Sequence, residues 1–163
     1  MINAIFATDS SGGMGNNGAL PWPHNKEDMA WFRMHTMGSI VLMGRKTWES
    51  IGSKPLPGRK NVVVTSDLTL EGPDLVLDGP IDQVLEVTMQ TFPGREIFVI
   101  GGMNVYKQAL PLCRNVYISV INGTYPADVS VDEEFTSLVH QFSNILEVAD
   151  YATISTAILS KDM

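Results

Sequence analysis

The segment PWPHNKEDMAWFRM, Pro21 to Met34, places an acid where a helix should bury its apolar side. Helical spacing sets Asp28, Phe32 and His35 on one stripe, at i, i+4 and i+7. Glu27 lies about 100° away and is available for the solvent side. Two readings of Asp28 are open. It follows a cap near Asn25 by three residues, where an acid is stabilised by ~0.3–1 kcal/mol. Alternatively, a carboxylate that faces an aromatic ring is poorly solvated and persists by gripping a cationic or hydrogen-bonding ligand. The glycine-rich stretch DSSGGMGNNGALPWP just upstream favours the second reading.

Other residues suit an anion. MGRKTW, Met43 to Trp48, puts Gly44, Arg45, Lys46 and Thr47 at a strand-to-helix junction. Free N–H groups at a helix start favour phosphate, and two cations and a hydroxyl add to that. A solvated basic turn with Thr47 as helix cap is the plain alternative. VIGGMNVY, Val99 to Tyr106, is a second such junction, where Gly101 and Gly102 allow close backbone approach or simply a tight turn. VTSD, Val64 to Asp67, ends a third strand with common turn residues. Three junctions together suggest a dinucleotide with separated phosphates. Arg59 in PLPGRKN offers a planar fork suited to a carboxylate, or a solvent-facing turn. His24, His35 and His140 lack metal-ligand spacing and read as structural, so no metal is expected. There is neither a Gly-x-Ser-x-Gly elbow nor a P-loop lysine.

These residues need a scaffold. INAIFAT, SIVLMG, NVVVTS, DLVLD and EIFVIGG are continuous apolar runs, the pattern of parallel strands covered on both faces. Helical patterns fall between them, near residues 25–37, 46–51, 81–90 and 104–110. NVYISVI and a pair of strands near 145–150 and 153–161 predict an antiparallel ending. The whole reads as one α/β domain, residues 1–163, with ligands expected beyond the carboxyl ends of the strands. The residues from Asp9 to Pro23 are expected to form a functional loop. Composition agrees with a globular chain: 163 residues, 44% hydrophobic and 18% charged. A net charge of −7 argues against nucleic acid or an anionic membrane surface as partner. The lone Cys113 rules out an internal disulfide and suits a reducing cytoplasm. The first residues do not read as a signal peptide, and no apolar run approaches a membrane span.

The order and spacing of GNNGALPWP, DMAWFR, VLMGRKTWESIG, PLPGRKNVVVTS and FVIGGMNVY closely resemble the bacterial and phage dihydrofolate reductases. The match spans Gly15 to Tyr106 and extends through VYISVI. The resemblance implies a three-layer, single-domain fold with a mainly parallel eight-stranded sheet, an antiparallel C-terminal strand and about four helices. It implies NADPH-dependent hydride transfer to C6 of 7,8-dihydrofolate, in a cytoplasmic and monomeric enzyme that antifolate inhibitors also bind. By resemblance Asp28 holds the pterin, with Ser119 supporting its carboxylate and Trp22 nearby. Ile5, Phe6, Ala7, Met29 and Phe32 wall the pterin and benzoyl pocket with Ser50, Ile51 and Ile100. Leu56 stands at its outer end, and Arg59 pairs with the glutamate tail. Arg45, Lys46, Thr47, Thr65 and Ser66 hold cofactor phosphates. Gly44, Gly101, Gly102, Met103, Val105 and Tyr106 line the pyrophosphate and nicotinamide side. Ala7, Met14, Gly15, Asn17, Ala19 and Leu20 meet the nicotinamide under the loop Ser10 to Leu20, which closes as a lid.

The chain departs from the pattern in places. Met103 and Asn104 follow the glycine pair where relatives often carry glycine and a basic residue. Asp67 places an acid beside the expected 2′-phosphate. Extra glycines in SSGGMGNNG imply a less populated closed lid. PHNKED is one residue longer than usual before the acid, which leaves Glu27 as the alternative to Asp28. Two rivals share the fold: a reductase of riboflavin synthesis, which needs no Arg59, and a non-catalytic folate- or nucleotide-binding protein.

Overall fold

The computed structural model describes residues 1–161. Along the chain run β1 (Ile2–Asp9), β2 (Gly13–Gly15), α1 (Lys26–Thr36), β3 (Ile40–Gly44), α2 (Arg45–Ser50) and β4 (Lys60–Val64). There follow β5 (Leu75–Leu77), α3 (Ile81–Thr91), β6 (Ile97–Val99), α4 (Met103–Ala109) and β7 (Asn115–Ile121). The last elements are β8 (Val129–Ser130), α5 (Glu133–Val139), β9 (Asn144–Asp150) and β10 (Ile154–Ser160). Eight strands form a sheet in the order β5-β4-β3-β6-β1-β7-β10-β9, and β2 pairs separately with β8. The pairings among β5, β4, β3, β6 and β1 are parallel. Strand β10 runs antiparallel to both β7 and β9. This is the mainly parallel sheet with an antiparallel ending that the apolar runs imply. The structure adds a fifth α-helix, α5, and the small β2–β8 ribbon.

The described chain clusters into two compact units: Met1–Ala4 with Thr36–Cys113, and Ile5–His35 with the residues from Arg114 onward. In the first, Ile40, Val41, Leu42 and Met43 are wholly buried, as expected of a strand covered on both faces. Helix α3 buries Ile81, Val84, Leu85 and Thr88, the i, i+3, i+4, i+7 stripe of an amphipathic helix. Thr88 satisfies its hydroxyl on the Val84 carbonyl at 2.7 Å, so the stripe carries a polar residue without an unmade bond. Trp48 of α2 packs with Val41, Met43 and Val63, and Ile51, Leu56, Leu70 and Ile100 close around them.

In the second unit, the Asp132 side chain caps α5 by accepting the Phe135 N–H at 2.8 Å. Phe135 meets Phe6 of β1 edge to face, with ring centroids 4.9 Å apart. Strand β10 buries alternate residues. Strand β9, last in the sheet order, is almost entirely exposed. No helix among the described residues is long and apolar enough to cross a membrane.

Trp48 depends on a glycine elsewhere in its unit. A Cβ on Gly72 would sit 2.9 Å from Trp48 Cζ2, and Gly72 has φ of +115°. Gly72→Ala therefore combines overpacking with a backbone that alanine resists. It should cost about 1–3 kcal/mol, read as a lower urea midpoint at unchanged slope. An unmoved midpoint would mean that the indole shifts freely.

Candidate functional site

In the second unit the polar chemistry gathers at the first turn of α1. Asn25 is the cap, since its Oδ1 accepts the Asp28 N–H at 2.9 Å. With the cap filled, the Asp28 side chain is engaged elsewhere: its Oδ1 accepts the Ser119 hydroxyl at 2.6 Å. Ser119 belongs to β7, paired with Thr156 of β10. Asp28 is 8% exposed and Ser119 1%. Among the described residues no cation pairs with Asp28, and its Oδ2 accepts nothing from the protein. Burial pushes the Asp28 carboxyl above its ordinary value, and the Ser119 hydrogen bond pulls part of the way back.

Glu27, one residue earlier, has a different set of partners. Its carboxylate accepts the Thr153 N–H at 2.6 Å, the Thr153 hydroxyl, and the Ala152 N–H at 3.2 Å. These bonds, the Thr153 hydroxyl foremost, hold its carboxyl below the usual range. Glu27 thus ties α1 to the turn between β9 and β10, and Asp28 is the acid that faces inward.

Of the residues expected to wall the pocket, Ile5 and Trp22 are buried, Ala7 and Phe32 half-buried, and Met29 exposed. The Phe6 ring is spent on Phe135, so the core holds it. His35 completes the helix stripe but packs edge-on to Trp31 at 4.7 Å and to Tyr117 at 5.0 Å. Burial lowers its pKa, against the charge of Glu147, and Nε2 is buried without a partner. His35 is a packing residue.

The expected loop between Asp9 and Pro23 is more ordered than its composition suggests. Gly13 pairs with Ser130 and Gly15 with Val129 in the β2–β8 ribbon. A tight turn carries Asn17 at φ +51° and Gly18 at φ +76°, closed by hydrogen bonds between Asn16 and Ala19. Asp128 holds this turn: its Oδ2 accepts the Asn17 N–H, and its own N–H donates to the Gly15 carbonyl, each at 2.9 Å. At the loop's start, buried Asp9 accepts N–H bonds from Ser11 (2.9 Å), Gly13 (2.8 Å) and Tyr125 (2.9 Å). Burial works against the Asp9 anion, yet these bonds outweigh it and keep its carboxyl below the usual range. Met14 and Gly15 are half-buried, whereas Asn17, Ala19 and Leu20 are exposed.

The first unit holds the basic and glycine-rich residues. Parallel neighbours β3 and β6 end at Gly44 and Val99, and α2 and α4 start just beyond. The Gly44 N–H donates to the Gly101 carbonyl at 2.9 Å, which joins the two junctions. Gly101 has φ of +121°, and the Gly101–Gly102 peptide is cis. A Cβ on Gly101 would crowd Tyr106 Cε2 at 3.3 Å and Thr47 Oγ1 at 3.4 Å. One on Gly102 would meet only Thr47 Oγ1, at 3.7 Å, so this backbone is open to close approach. Val105 lies against Gly44, 3.2 Å from where a Cβ would stand. Gly44 is the N-cap of α2, without any side-chain cap, so Thr47 is not the cap residue. Lys46 and Ser66 are exposed, and Thr65 and Met103 half-buried. Arg45 is committed to Asp67, with 2.8 Å between its NH1 and Oδ2.

Arg59 is held in place: Nε donates to the Pro57 carbonyl at 3.0 Å and NH1 to the Thr36 hydroxyl at 3.1 Å. Ile51, Leu56 and Ile100 pack on the Trp48 core, and the exposed Ser50 donates its hydroxyl to the Thr47 carbonyl at 2.7 Å.

Sequence reasoning passed over Asp9, Asp128 and Thr36. Asp9 had a readable signal, an Asx residue that ends a strand before glycines. Asp128 had none, because it reaches Asn17 across 111 residues of sequence.

The chain is similar to known proteins over most of its length. A family profile described as dihydrofolate reductase matches residues 1–152. The chain is 39% identical over 135 residues to the dihydrofolate reductase of Neisseria gonorrhoeae, covering 81% of this chain and 79% of that one. It is 38% identical over 128 residues to that of Bacillus subtilis, covering 78% and 73%. Among solved structures, the dihydrofolate reductase from Enterococcus faecalis complexed with NADP(H) and RAB-propyl matches with a TM-score of 0.81. It is 28% identical and covers 100% of this chain and 97% of that one.

The Asp28–Ser119 pair has a direct test. Ser119→Ala removes the one donor that opposes the desolvation of Asp28, so the carboxyl should titrate at a higher pH than in the parent, read by carbon NMR of Asp28. A folded-state pKa above the unfolded one means that stability is lost as pH rises from the unfolded value through the folded one. In Ser119→Ala that loss should be larger and extend to higher pH. A midpoint that stays put or falls would show that the hydroxyl does not support the anion.

Proposed function

The chain belongs to the dihydrofolate reductase family, and from that premise we propose how its residues share the work. The enzyme is an NADPH-dependent oxidoreductase that reduces 7,8-dihydrofolate at C6 to tetrahydrofolate. Residues 1–163 act as one reductase domain in this reading, cytoplasmic and monomeric, with folates and antifolates as its ligands.

The observation that carries the assignment of roles is the buried Asp28, with Ser119 on one oxygen and no cation among the described residues beside it. A carboxylate accepts about four hydrogen bonds, so beyond Ser119 Asp28 keeps ample capacity for a pair of ligand donors. It takes them from the 2-amino group and N3 of the pterin. The desolvated charge raises the proton affinity of the bound ring, and N5 gains its proton from water. Protonated N5 makes C6 electrophilic. Asp28 orients and polarises the ring and does not itself deliver the N5 proton. Ile5, Trp22 and Phe32 keep water from the ring and so keep that charge effective. Phe6 contributes its backbone, Ala7 and Met29 complete the apolar wall, and Ser50, Ile51, Leu56 and Ile100 serve the benzoyl end. Arg59, fixed by Pro57 and Thr36, presents its fork to the α-carboxylate of the glutamate tail.

The residues of the first unit fit a dinucleotide phosphate chain. Arg45 and Lys46 supply charge, and Thr47, Thr65 and Ser66 supply hydroxyl donors. Gly44, Gly101 and Gly102 admit the backbone to close range, with Met103, Val105 and Tyr106 beside them. NADPH supplies the hydride. Met14, Gly15, Asn17, Ala19 and Leu20 close over the nicotinamide, and Asp128 and Asp9 set how far the loop opens. The geometry at Thr36 and Arg59 favours folate over a riboflavin precursor, because a pre-oriented guanidinium suits a carboxylate tail.

Purified protein should oxidise NADPH only when dihydrofolate is present, followed at the reduced nicotinamide band. Asp28→Asn should lose roughly 10²–10⁴-fold in turnover at neutral pH and recover part of it in acid, where solution protons replace the lost polarisation. Undiminished turnover in that variant would refute the role given to Asp28. Tight folate binding without NADPH oxidation in the parent would instead select the non-catalytic reading.

A further inference from the structure

The ion pair between Arg45 and Asp67 has no place in the roles above, and it stands among the residues that would meet the adenosine end of the cofactor. Its carboxylate is built in. Asp67 Oδ1 accepts both the N–H and the hydroxyl of Thr69, and the Asp67 N–H donates to Thr65 Oγ1 at 3.2 Å. The Asp67 carbonyl accepts the Leu70 N–H at 3.3 Å, which closes the turn. Asp67 therefore cannot swing aside without breaking its own loop. Oδ2 holds Arg45 NH1 at 2.8 Å, and both side chains are 41% exposed, so a ligand can reach the pair.

We propose that Asp67 is a specificity-determining residue that weakens discrimination between NADPH and NADH. The inference rests on the reading of Arg45 as the contact for the 2′-phosphate. A phosphate dianion that reaches Arg45 must share the guanidinium with a carboxylate that cannot leave, and it is repelled by that carboxylate. A ribose 2′-hydroxyl meets neither obstacle. It can donate to Asp67 while Arg45 stays paired, which is how acidic residues read the unphosphorylated ribose in other nucleotide folds. One fixed acid thus penalises the phosphorylated cofactor and offers a partner to the other. The exposure of the pair keeps the effect modest and sensitive to salt.

The test compares the parent with Asp67→Asn and Arg45→Ala. Dissociation constants for NADP⁺ and NAD⁺ are measured by calorimetry, beside kcat/KM for the reduced cofactors. Asp67→Asn should bind NADP⁺ about three- to tenfold tighter and NAD⁺ no tighter, with the gain shrinking as salt is raised. Its NADPH/NADH ratio of kcat/KM should rise by a similar factor. Arg45→Ala should lose NADP⁺ selectively and leave NAD⁺ little changed. If Arg45→Ala behaves so while Asp67→Asn leaves the NADP⁺/NAD⁺ ratio where it was, the proposal for Asp67 is wrong and the phosphate reading stands. If Arg45→Ala affects neither cofactor, or both equally, the phosphate reading fails and takes the proposal with it.

Discussion

The chemistry of this chain turns on the cost of removing one negative charge from water. Asp28 is buried, no cation among the described residues pairs with it, and the Ser119 hydroxyl partly offsets its desolvation. An apolar residue there would be easier for the fold to carry. The arrangement makes sense when a donor-rich ring completes it, because an unsatisfied carboxylate is a site that selects for hydrogen-bond donors and for positive charge. Ser119 has a double part in this. It keeps the anion from being prohibitive, and by engaging only Oδ1 it leaves Oδ2 for the ligand. Asn25 makes the arrangement possible, since a capped helix end leaves Asp28 without local employment.

Much of the surrounding structure keeps other acids away from that role. Glu27 is absorbed by Thr153 and Ala152, Asp132 by the start of α5, and Asp9 by three backbone N–H groups. For Glu27 and Asp9 those donors favour the ionised form. Among the carboxylates described here, Asp28 stands apart because burial outweighs its hydrogen bonding. A net charge of −7 is therefore no guide to the site. What matters is how each acid is solvated, and that is decided by contacts far apart in sequence.

This also explains how much could be read in advance. The parallel strands were legible because a strand covered on both faces must be continuously apolar, and Ile40 to Met43 and Val62 to Val63 are wholly buried. The helix bounds fell within a residue or two, as Gly38 and Gly44 punctuate them. Strand β2 was not legible: a three-residue strand of two glycines and a methionine has no alternation to show. Helix α5 escaped because Phe135 alone among its seven residues is buried, too little for a periodic stripe. At the site, Asp28 stood out through its spacing from Phe32. His35, on the same stripe, proved to be packing between Trp31 and Tyr117, because spacing fixes the side of a helix and not its neighbours.

The contrast between Asp28 and Asp67 carries that point furthest. Both are aspartates in the proposed ligand-binding regions, and both are hydrogen-bonded to a hydroxyl. Asp28 lies in a dry place where no cation among the described residues pairs with it, so in the proposed role its poorly solvated charge is what acts on the ring. Asp67 is half-exposed, fixed by Thr69 and paired with Arg45, which hold its carboxyl below the usual range. A charge so stabilised gains little from a new donor and instead governs how free its arginine is. The same side chain thus serves as a grip in one setting and as a restraint in the other, and the difference is set by solvation and by the nearest cation.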